Sequence, residues 1–380
     1  MRTDDELRRM VDGAEVWRPG WRPGNGANDG PGGGAGAGPV VLSAADFLGR
    51  WRAPDFIVDG VLQRGYLYSF CGKTGHGKTA VALLLAVCVA AGTPFAGHDV
   101  ARGRVVYLAG ENPDDVRTRL LVMGEALGVD VASLDLYFVD GAFDLAASLD
   151  ALAETIERIG GAQLVIVDTA AAHFRGDDEN SNTELGGFAR ELRRICTMEG
   201  APAVVVPAHP IKHASAKADL LPRGGGAFIA EVDGNLTCFS GDDGETAEFH
   251  WAGKIRGASF EPFSLKLERR ASALLKDAKG RPVRSVVAVP MTEDDLAKAQ
   301  TAHASEQDHL LETMLHYPKA SLAEWCERMG WINADRAPLK TKIFHRMQDL
   351  VAAKLAVKNR SGKYVLTKKG TAEARELTER

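Results

Sequence analysis

The middle of the chain is built from short apolar runs that alternate with segments of helical hydrophobic spacing. The apolar runs predict buried strands at Gly65–Cys71, Arg104–Ala109, Leu136–Val139, Leu164–Asp168 and Ala203–Ala208. The intervening segments predict helices at Val81–Ala91, Pro113–Leu127, Leu145–Ile159 and Thr183–Glu199. Strands without polar alternation, separated by helices, are typical of a parallel sheet with both faces covered. The expected fold class is α/β.

A different pattern begins near Gly234, where strands follow one another without helices between them. The expected strands are Asn235–Phe239, Thr246–Trp251, Phe263–Glu268 and Val283–Val289. Because strands joined by short connections pair antiparallel, we expect an antiparallel extension of the sheet.

The last part of the chain predicts a second, smaller domain. Three amphipathic helices are expected at Asp308–Leu315, Ser321–Met329 and Leu339–Leu350, followed by two short strands at Leu355–Val357 and Lys363–Leu366. Three helices and a hairpin, in this order, indicate a winged helix–turn–helix. The polar segment 293–305 predicts a linker between a large domain at 40–292 and a winged-helix domain at 306–372.

Residues 1–39 predict a flexible N-terminal tether. Nine of the nineteen residues from Gly20 to Gly38 are glycine. Such a segment buries too little apolar surface to offset the entropy of ordering it.

Composition narrows the class of protein. The 380 residues are 45% hydrophobic and 26% charged, with a net charge of −5, which argues against a uniformly basic nucleic-acid coat protein. The five cysteines form no CxxC pair, which predicts reduced thiols. The longest apolar stretch, Thr79–Gly92, is too short to span a bilayer, and the N-terminus lacks an apolar signal segment. We therefore expect a cytoplasmic protein without membrane contact.

The sequence GKTGHGKT at Gly72–Thr79 matches the phosphate-loop pattern G-x-x-x-x-G-K-[ST] at every specified position. A predicted strand precedes it and a predicted helix follows it. Glycines let backbone N–H groups converge on phosphate oxygens at the positive end of a helix. Lys78 is expected to neutralise charge on ATP, and the Thr79 hydroxyl to ligate Mg²⁺. The remaining residues of the expected cradle are Gly72, Lys73, Thr74, Gly75, His76 and Gly77. The alternative is a chance glycine-rich turn.

Three polar residues end predicted strands at the edge that faces this loop. Asp168 ends LVIVD, where an acid can hold hydrated Mg²⁺. Glu111 follows VVYLAG, where a carboxylate can orient or deprotonate the attacking water. His209 follows VVVPA, in a place suited to sensing the γ-phosphate. The structural alternatives are a turn residue for Asp168, a helix cap for Glu111 and a packing role for His209.

Together these motifs resemble those of the RepA-like hexameric helicases of plasmids and phages, a branch of the RecA/DnaB superfamily. The similar stretches are CGKTGHGKT, YLAGENPDDVRTRL, LVIVDTAAAHFRGDDENSNTELGGF, VVVPAHPIKHA, LPRGGGAF and KIRG, within residues 41–290. The resemblance implies a hexameric ring of RecA-like P-loop NTPase domains, with ATP and Mg²⁺ between subunits and single-stranded DNA in the channel.

The resemblance also implies roles for residues outside the phosphate loop. Glu111 would activate water, Asp168 would support the metal and His209 would couple hydrolysis to DNA. Arg119 corresponds to an arginine near the nucleotide base. Arg256, in a K-x-R sequence, is the preferred candidate for the finger that completes a neighbour's site, and Arg223 is the second. An exposed surface charge is the alternative for both. The chain departs from the family where relatives have two adjacent histidines, since it has an alanine before His209.

DNA contact is expected at two loops and at the C-terminal domain. In RecA-like rings the loops after the metal-binding and sensor strands face the channel, here Ala171–Asn182 and Ile211–Gly226. Residues 336–369 contain ten basic residues and one acid. Those on the third helix are expected to enter a major groove (Lys340, Lys342, Arg346), and those in the hairpin to lie beside the backbone (Lys358, Arg360, Lys363). A solvated face or a protein-docking wing is the alternative.

The function these expectations favour is an ATP-dependent DNA helicase or translocase in plasmid or phage replication. One alternative is an ATP-regulated DNA-binding regulator without unwinding activity. Another is a recombination mediator or strand-exchange ATPase.

Overall fold

The computed structural model describes residues 41–49, 51, 53–176, 181–211, 214, 217–223, 225–240, 244–257, 259–332, 336–359 and 361–379. The tether predicted at 1–39 lies outside these residues. The chain divides into two units, residues 1–55 and 56–380. In the first unit the structure describes one helix, α1 at Ala44–Gly49, in which Phe47 and Leu48 are exposed.

The second unit begins with a small hairpin of β1 (Phe56–Val58) and β2 (Leu62–Gln63). Six parallel strands follow: β3 (Leu67–Cys71), β4 (Val105–Ala109), β5 (Leu136–Asp140), β6 (Leu164–Asp168), β7 (Ala203–Ala208) and β8 (Gly234–Ser240). They lie in the order β8-β3-β7-β6-β4-β5. The predicted α/β class and its parallel sheet are confirmed.

Three antiparallel strands extend this sheet beyond β8: β9 (Thr246–Ile255), β10 (Phe263–Lys276) and β11 (Pro282–Pro290). The antiparallel extension agrees with the sequence pattern, but β10 is longer than expected. Its continuation beyond Glu268 is largely exposed, so burial leaves no hydrophobic signal there.

Helices cover both faces of the sheet. On one face, α2 (Lys78–Ala91) and α3 (Pro113–Leu127) enclose an apolar core. On the other, a second core is enclosed by α4 (Leu145–Arg158), α5 (Ala170–His173), α6 (Asn182–Ile195) and α7 (Gly225–Glu231). Successive strand residues such as Leu164 and Val165 enter opposite cores, which explains the lack of polar alternation in the sequence.

The C-terminal part has a third core, built around Trp325 and Met347. Its elements are α8 (Glu293–His316), α9 (Leu322–Arg328), α10 (Lys340–Ala352), β12 (Ala356–Lys358), β13 (Tyr364–Leu366) and α11 (Lys368–Thr378). The order of three helices and a hairpin agrees with the expected one, and α11 was not expected. The boundary expected at 372 falls inside this last helix.

Residues 293–305, expected to form a linker, are the first half of α8. Thr292 and Asp295 form a capping box in which each side chain accepts a hydrogen bond from the backbone of the other residue. This cap stabilises the start of the helix. The helix was not predicted there because its first half is polar and shows no apolar residues at helical spacing.

Candidate nucleotide-binding site

The loop between β3 and α2 has the backbone shape that phosphate binding requires. Gly77, just before α2, has a φ of 86°, a left-handed conformation that strains other residues. At Gly72 a Cβ atom would lie 2.6 Å from the carbonyl oxygen of Cys238. Two glycines of the motif are therefore required by geometry. No side chain caps α2, and the uncapped amides of a helix N-terminus form an anion site.

Lys78, the first residue of α2, is buried against this loop, with 7% of its surface exposed. Its ammonium group donates hydrogen bonds to the carbonyl oxygens of Gly72 (2.6 Å) and Lys73 (3.1 Å). Burial lowers the pKa of Lys78, while neighbouring groups that include Asp168 act in the opposite direction. A buried ammonium held by neutral carbonyls is electrostatically suited to a phosphate group.

Asp168 lies at the end of β6, with 4% of its surface exposed. Its Oδ2 atom accepts a 2.5 Å hydrogen bond from the hydroxyl of Tyr107 on β4. Its Oδ1 atom is buried and has no hydrogen-bond donor among the described residues. Burial raises the pKa of the Asp168 carboxyl group, and the nearby hydroxyls of Tyr107 and Thr79 act to lower it.

These oxygens fit Mg²⁺. The ion prefers oxygen ligands, keeps several waters and is held in nucleotide sites by one or two protein groups together with the phosphates. The Thr79 hydroxyl and the unused Oδ1 of Asp168 are groups of that kind. Among the described residues no cluster of three or more His, Cys, Asp or Glu residues is able to hold a metal without the nucleotide.

Glu111 follows β4, and its half-exposed side chain meets groups from two neighbouring strands. Its Oε1 atom accepts a 3.2 Å hydrogen bond from the hydroxyl of Thr169, which follows β6. The Nε2 atom of His209, which follows β7, lies 3.9 Å from the same oxygen. The His209 imidazole and then the Thr169 hydroxyl lower the pKa of Glu111, although burial opposes them.

The alternative role considered for Glu111, a helix cap, belongs to its neighbour. The side chain of Asn112 accepts a 3.1 Å hydrogen bond from the backbone N–H of Asp115 and caps α3, with Pro113 in the first turn. The Glu111 carboxylate is therefore not used for capping and faces the edge where the strands end.

Arg223 lies beside His209, at the point where the chain returns from the loop after β7. Its backbone N–H donates to the carbonyl oxygen of His209 (3.1 Å), and its Nε atom to that of Pro210 (3.3 Å). Residues 177–180, 212, 213, 215, 216 and 224, in the two loops expected to contact DNA, lie outside the described residues. Lys217 is described, and it pairs with Glu248 at 2.7 Å.

Arg256 lies at the opposite edge of the sheet from the phosphate loop of its own chain. It follows Ile255, which pairs with Gly234 at the beginning of β8, whereas the loop follows the end of β3. Its guanidinium forms a 2.8 Å ion pair with the buried carboxylate of Asp233, and 57% of its side chain is exposed. Arg193 binds the other oxygen of Asp233 at 2.9 Å.

Arg119, expected near a nucleotide base, is engaged within the protein. It pairs with Asp115 at 2.6 Å and donates a 2.8 Å hydrogen bond to the carbonyl oxygen of Val286 in β11. The structure thus brings Lys78, Asp168, Glu111 and His209 to one edge of the sheet, and Arg119 and Arg256 to other places.

The basic residues of the C-terminal part divide into two groups. On α10, Lys342 and Arg346 both pair with Glu306 of α8, at 2.6 and 2.8 Å. An acid of α8 therefore lies opposite two of the residues that were expected to enter a major groove. In the hairpin, by contrast, Lys358 and Lys363 are exposed. Nothing is described for the side chains of Lys340 and Arg360.

Sequence reasoning did not identify Tyr107 and Thr169 as members of the site. Each carried a weak signal: Tyr107 is the one hydroxyl in the strand VVYLA, and Thr169 directly follows the acid that ends β6. Their contacts depend on the pairing of β4 with β6, which places Ala109 beside Asp168.

The chain is similar to known nucleotide-binding and DNA-repair proteins. Residues 38–215 match a family model described as an AAA domain. Over 149 residues the chain is 27% identical to the DNA repair and recombination protein RadB from two strains of Halobacterium salinarum. This similarity covers 38% of the chain and 59% of the relative, so it spans about three-fifths of the length of RadB. The phosphate-loop geometry and these similarities support a nucleotide-binding P-loop NTPase domain.

A solved structure of an ATPase domain is also similar, with 14% identity and a TM-score of 0.43, over 53% of this chain and 81% of the other. Among the described residues, no helix has the length and apolar character needed to cross a membrane.

Proposed function

We propose that the protein is a DNA-dependent ATP hydrolase in which a RecA-like domain couples ATP turnover to movement on DNA, as in RepA-type helicases. The observation that carries the proposal is the convergence of the phosphate loop with Asp168, Glu111 and His209 at the carboxyl edge of one parallel sheet. In α/β sheets this edge is the usual ligand crevice.

Each group has a chemical role in this proposal. The amides of the loop and the Lys78 ammonium bind the β and γ phosphates of ATP. Thr79 and Asp168 hold Mg²⁺, which when bound neutralises charge on the phosphates. Glu111 orients the attacking water and takes up its proton. His209 touches the same carboxylate and links it to the loop that ends at Arg223.

The proposal includes ATP sites shared between subunits of a homo-oligomer, a hexamer in the RepA-like arrangement. An arginine from the neighbouring subunit would stabilise charge on the transferring phosphoryl group. Arg256 suits this role because it is more than half exposed and distant from its own loop. Arg223 is the second candidate.

DNA contact is proposed at the loops after β6 and β7 and at the hairpin of the C-terminal part, which we interpret as a winged helix. The exposed lysines of this hairpin, Lys358 and Lys363, suit contacts to phosphates. Because Lys342 and Arg346 are paired with Glu306, base reading by α10 is not part of the proposal.

A second candidate function is a recombination mediator that binds ATP without unwinding DNA. The similarity to RadB, named for DNA repair and recombination, favours it. A third, an ATP-regulated DNA-binding regulator, would use the same site as a switch.

Unwinding of a forked duplex by the purified protein distinguishes these functions. We expect ATP-dependent unwinding and DNA-stimulated hydrolysis by the wild-type protein. Lys78→Ala and Glu111→Gln are expected to reduce hydrolysis by a factor of about 100 or more, because each removes a group that acts on the transferring phosphate. Glu111→Gln should still bind ATP. DNA-stimulated hydrolysis without unwinding would favour the mediator, and hydrolysis by Lys78→Ala at the wild-type rate would refute the site.

A further inference from the structure

Tyr107 is a buried phenol in the middle of β4, two residues before the end of that strand. It is fully buried in β4 among aliphatic residues, and its ring lies 5.6 Å from that of Phe138. Its hydroxyl donates the 2.5 Å hydrogen bond to Oδ2 of Asp168 described above. A phenylalanine would fill the same space in this core, so packing alone does not explain why the residue has a hydroxyl group.

The strand register brings these two side chains together. β4 and β6 are parallel, with Tyr107 level with Ile166 and Ala109 level with Asp168. Residues two apart on a strand point to the same face, so Asp168 lies on the face that Tyr107 and Ile166 share. The phenol therefore reaches the carboxylate from within the apolar core, and Thr79 and Lys78 at the start of α2 also lie near that carboxylate.

The hydrogen bond distinguishes the two carboxylate oxygens. Oδ2 is occupied by Tyr107, whereas Oδ1 is buried and has no donor among the described residues. The terminal torsion of an aspartate is broad and roughly two-fold, so without a partner the carboxylate would sample many orientations. The hydrogen bond from Tyr107, whose rigid ring is packed in the core, removes most of that freedom.

We propose that Tyr107 is a positioning residue for Mg²⁺: it orients the Asp168 carboxylate so that Oδ1 faces the metal complex of the nucleotide. The proposal rests on the ATP site described above and extends it by a residue that touches neither metal nor nucleotide. Groups that orient metal ligands in this way typically change metal affinity by 10–100-fold when they are removed.

The test is the Mg²⁺ dependence of nucleotide binding, measured with a fluorescent ATP analogue in EDTA and at increasing Mg²⁺ concentrations. Tyr107→Phe keeps the ring and removes the donor. We expect it to need about tenfold more Mg²⁺ for half of the Mg²⁺-dependent gain in affinity, with binding in EDTA unchanged within about twofold.

Tyr68→Phe is a matched control, because Tyr68 is also a buried phenol in a central strand. Its hydroxyl accepts a 2.9 Å hydrogen bond from the backbone N–H of Gln63, away from the nucleotide edge. This variant should lose some stability and keep the wild-type Mg²⁺ requirement.

An unchanged Mg²⁺ requirement in Tyr107→Phe, or an equal shift in Tyr68→Phe, would overturn the inference. Failure of Tyr107→Phe to fold would also overturn it, because the hydroxyl would then have a structural role. If the wild-type protein itself shows no Mg²⁺-dependent nucleotide binding, the proposed ATP site fails instead, which separates the two outcomes.

Discussion

The imidazole of His345 in α10 packs edge-on against the ring of Phe239 at the end of β8, with 4.9 Å between centroids and 77° between planes. Phe239 in turn packs edge-on against His76 of the phosphate loop, at 5.4 Å. The loop is also tied to β8 by a 3.0 Å hydrogen bond from the backbone N–H of Ser240 to Nδ1 of His76. The C-terminal part is thus joined to the phosphate loop through two successive aromatic contacts.

His345→Ala is expected to weaken nucleotide binding about threefold, because it removes the packing that helps to keep Phe239 and the loop in their binding conformation. The measurement is the affinity for a fluorescent ATP analogue with Mg²⁺ present. Gln348→Ala, on an exposed part of the same helix, is the control and should bind as the wild type does. Equal affinities for all three proteins would show that the contact does not support the loop.

Gly72→Ala is expected to disrupt the phosphate loop. The added Cβ would lie 2.6 Å from a backbone oxygen of β8, and that strand is too well paired to move. We expect a loss of about 2 kcal/mol in the free energy of unfolding, together with weaker nucleotide binding.

Gly187→Ala is the matched control for that substitution. Gly187 lies within α6, and a Cβ there meets nothing within 4 Å. The alanine should therefore raise the free energy of unfolding by about 0.5–1 kcal/mol, through helix propensity alone. Urea denaturation measures both effects. A Gly72→Ala protein as stable as the wild type would contradict the close approach seen in the structure.

Most residues of the candidate site could be predicted from the sequence because they lie at or just after the ends of buried strands. An apolar run fixes where a buried strand stops, and parallel strands end at one edge, so Asp168, Glu111 and His209 were expected near the phosphate loop. The contacts of Tyr107 and His345 could not be predicted from the sequence. The first depends on the register between two strands, and the second joins residues 106 positions apart in the sequence.

The ion pairs of Lys342 and Arg346 on α10 could not be predicted from the sequence for a similar physical reason. A local excess of lysine and arginine indicates a basic surface only if no acid from another element lies against it. Glu306 is 40 residues from Arg346, within a segment whose helical structure was not expected. Charge composition alone therefore overestimated the unpaired positive charge at Lys342 and Arg346.

Glu306→Gln is expected to destabilise the C-terminal part. Burial alone would raise the pKa of Glu306, but the hydrogen bonds from Lys342 and Arg346 outweigh it and hold the pKa below its ordinary value of 4.5. A carboxyl group with a lowered pKa stabilises the folded state fully above its unfolded pKa, and this contribution disappears as the pH falls through the folded pKa. The substitution should therefore lower the free energy of unfolding by about 1–2 kcal/mol at neutral pH, and by progressively less below pH 4.5.

Urea denaturation followed by tryptophan fluorescence suits this measurement, since Trp325 and Trp331 lie in or against the C-terminal core. Glu327→Gln, which changes an exposed acid of α9, should leave the free energy of unfolding nearly unchanged. A difference between Glu306→Gln and the wild type that persists undiminished at acid pH would show that the ion pairs are not its source.

Arg256→Ala is expected to abolish ATP hydrolysis alone and to recover it when mixed with Lys78→Ala. If sites are shared, an Arg256→Ala subunit contributes an intact phosphate loop and a Lys78→Ala neighbour contributes an intact arginine. Random mixing would make about a quarter of such interfaces complete. Since an arginine supplied in trans is worth roughly 10³–10⁵ in rate, the recovered activity should stand far above that of either variant.

Arg193→Ala separates this role from a structural one, because Arg193 binds the same buried carboxylate of Asp233. Removal of the Arg193 side chain should lower the stability of the fold, as should loss of the ion pair between Arg256 and Asp233. The folded Arg193→Ala protein should still hydrolyse ATP at close to the wild-type rate. If Arg193→Ala and Arg256→Ala lose hydrolysis equally and neither is rescued by Lys78→Ala, the arginines act by supporting Asp233, and Arg223 becomes the arginine to test in the same mixing experiment.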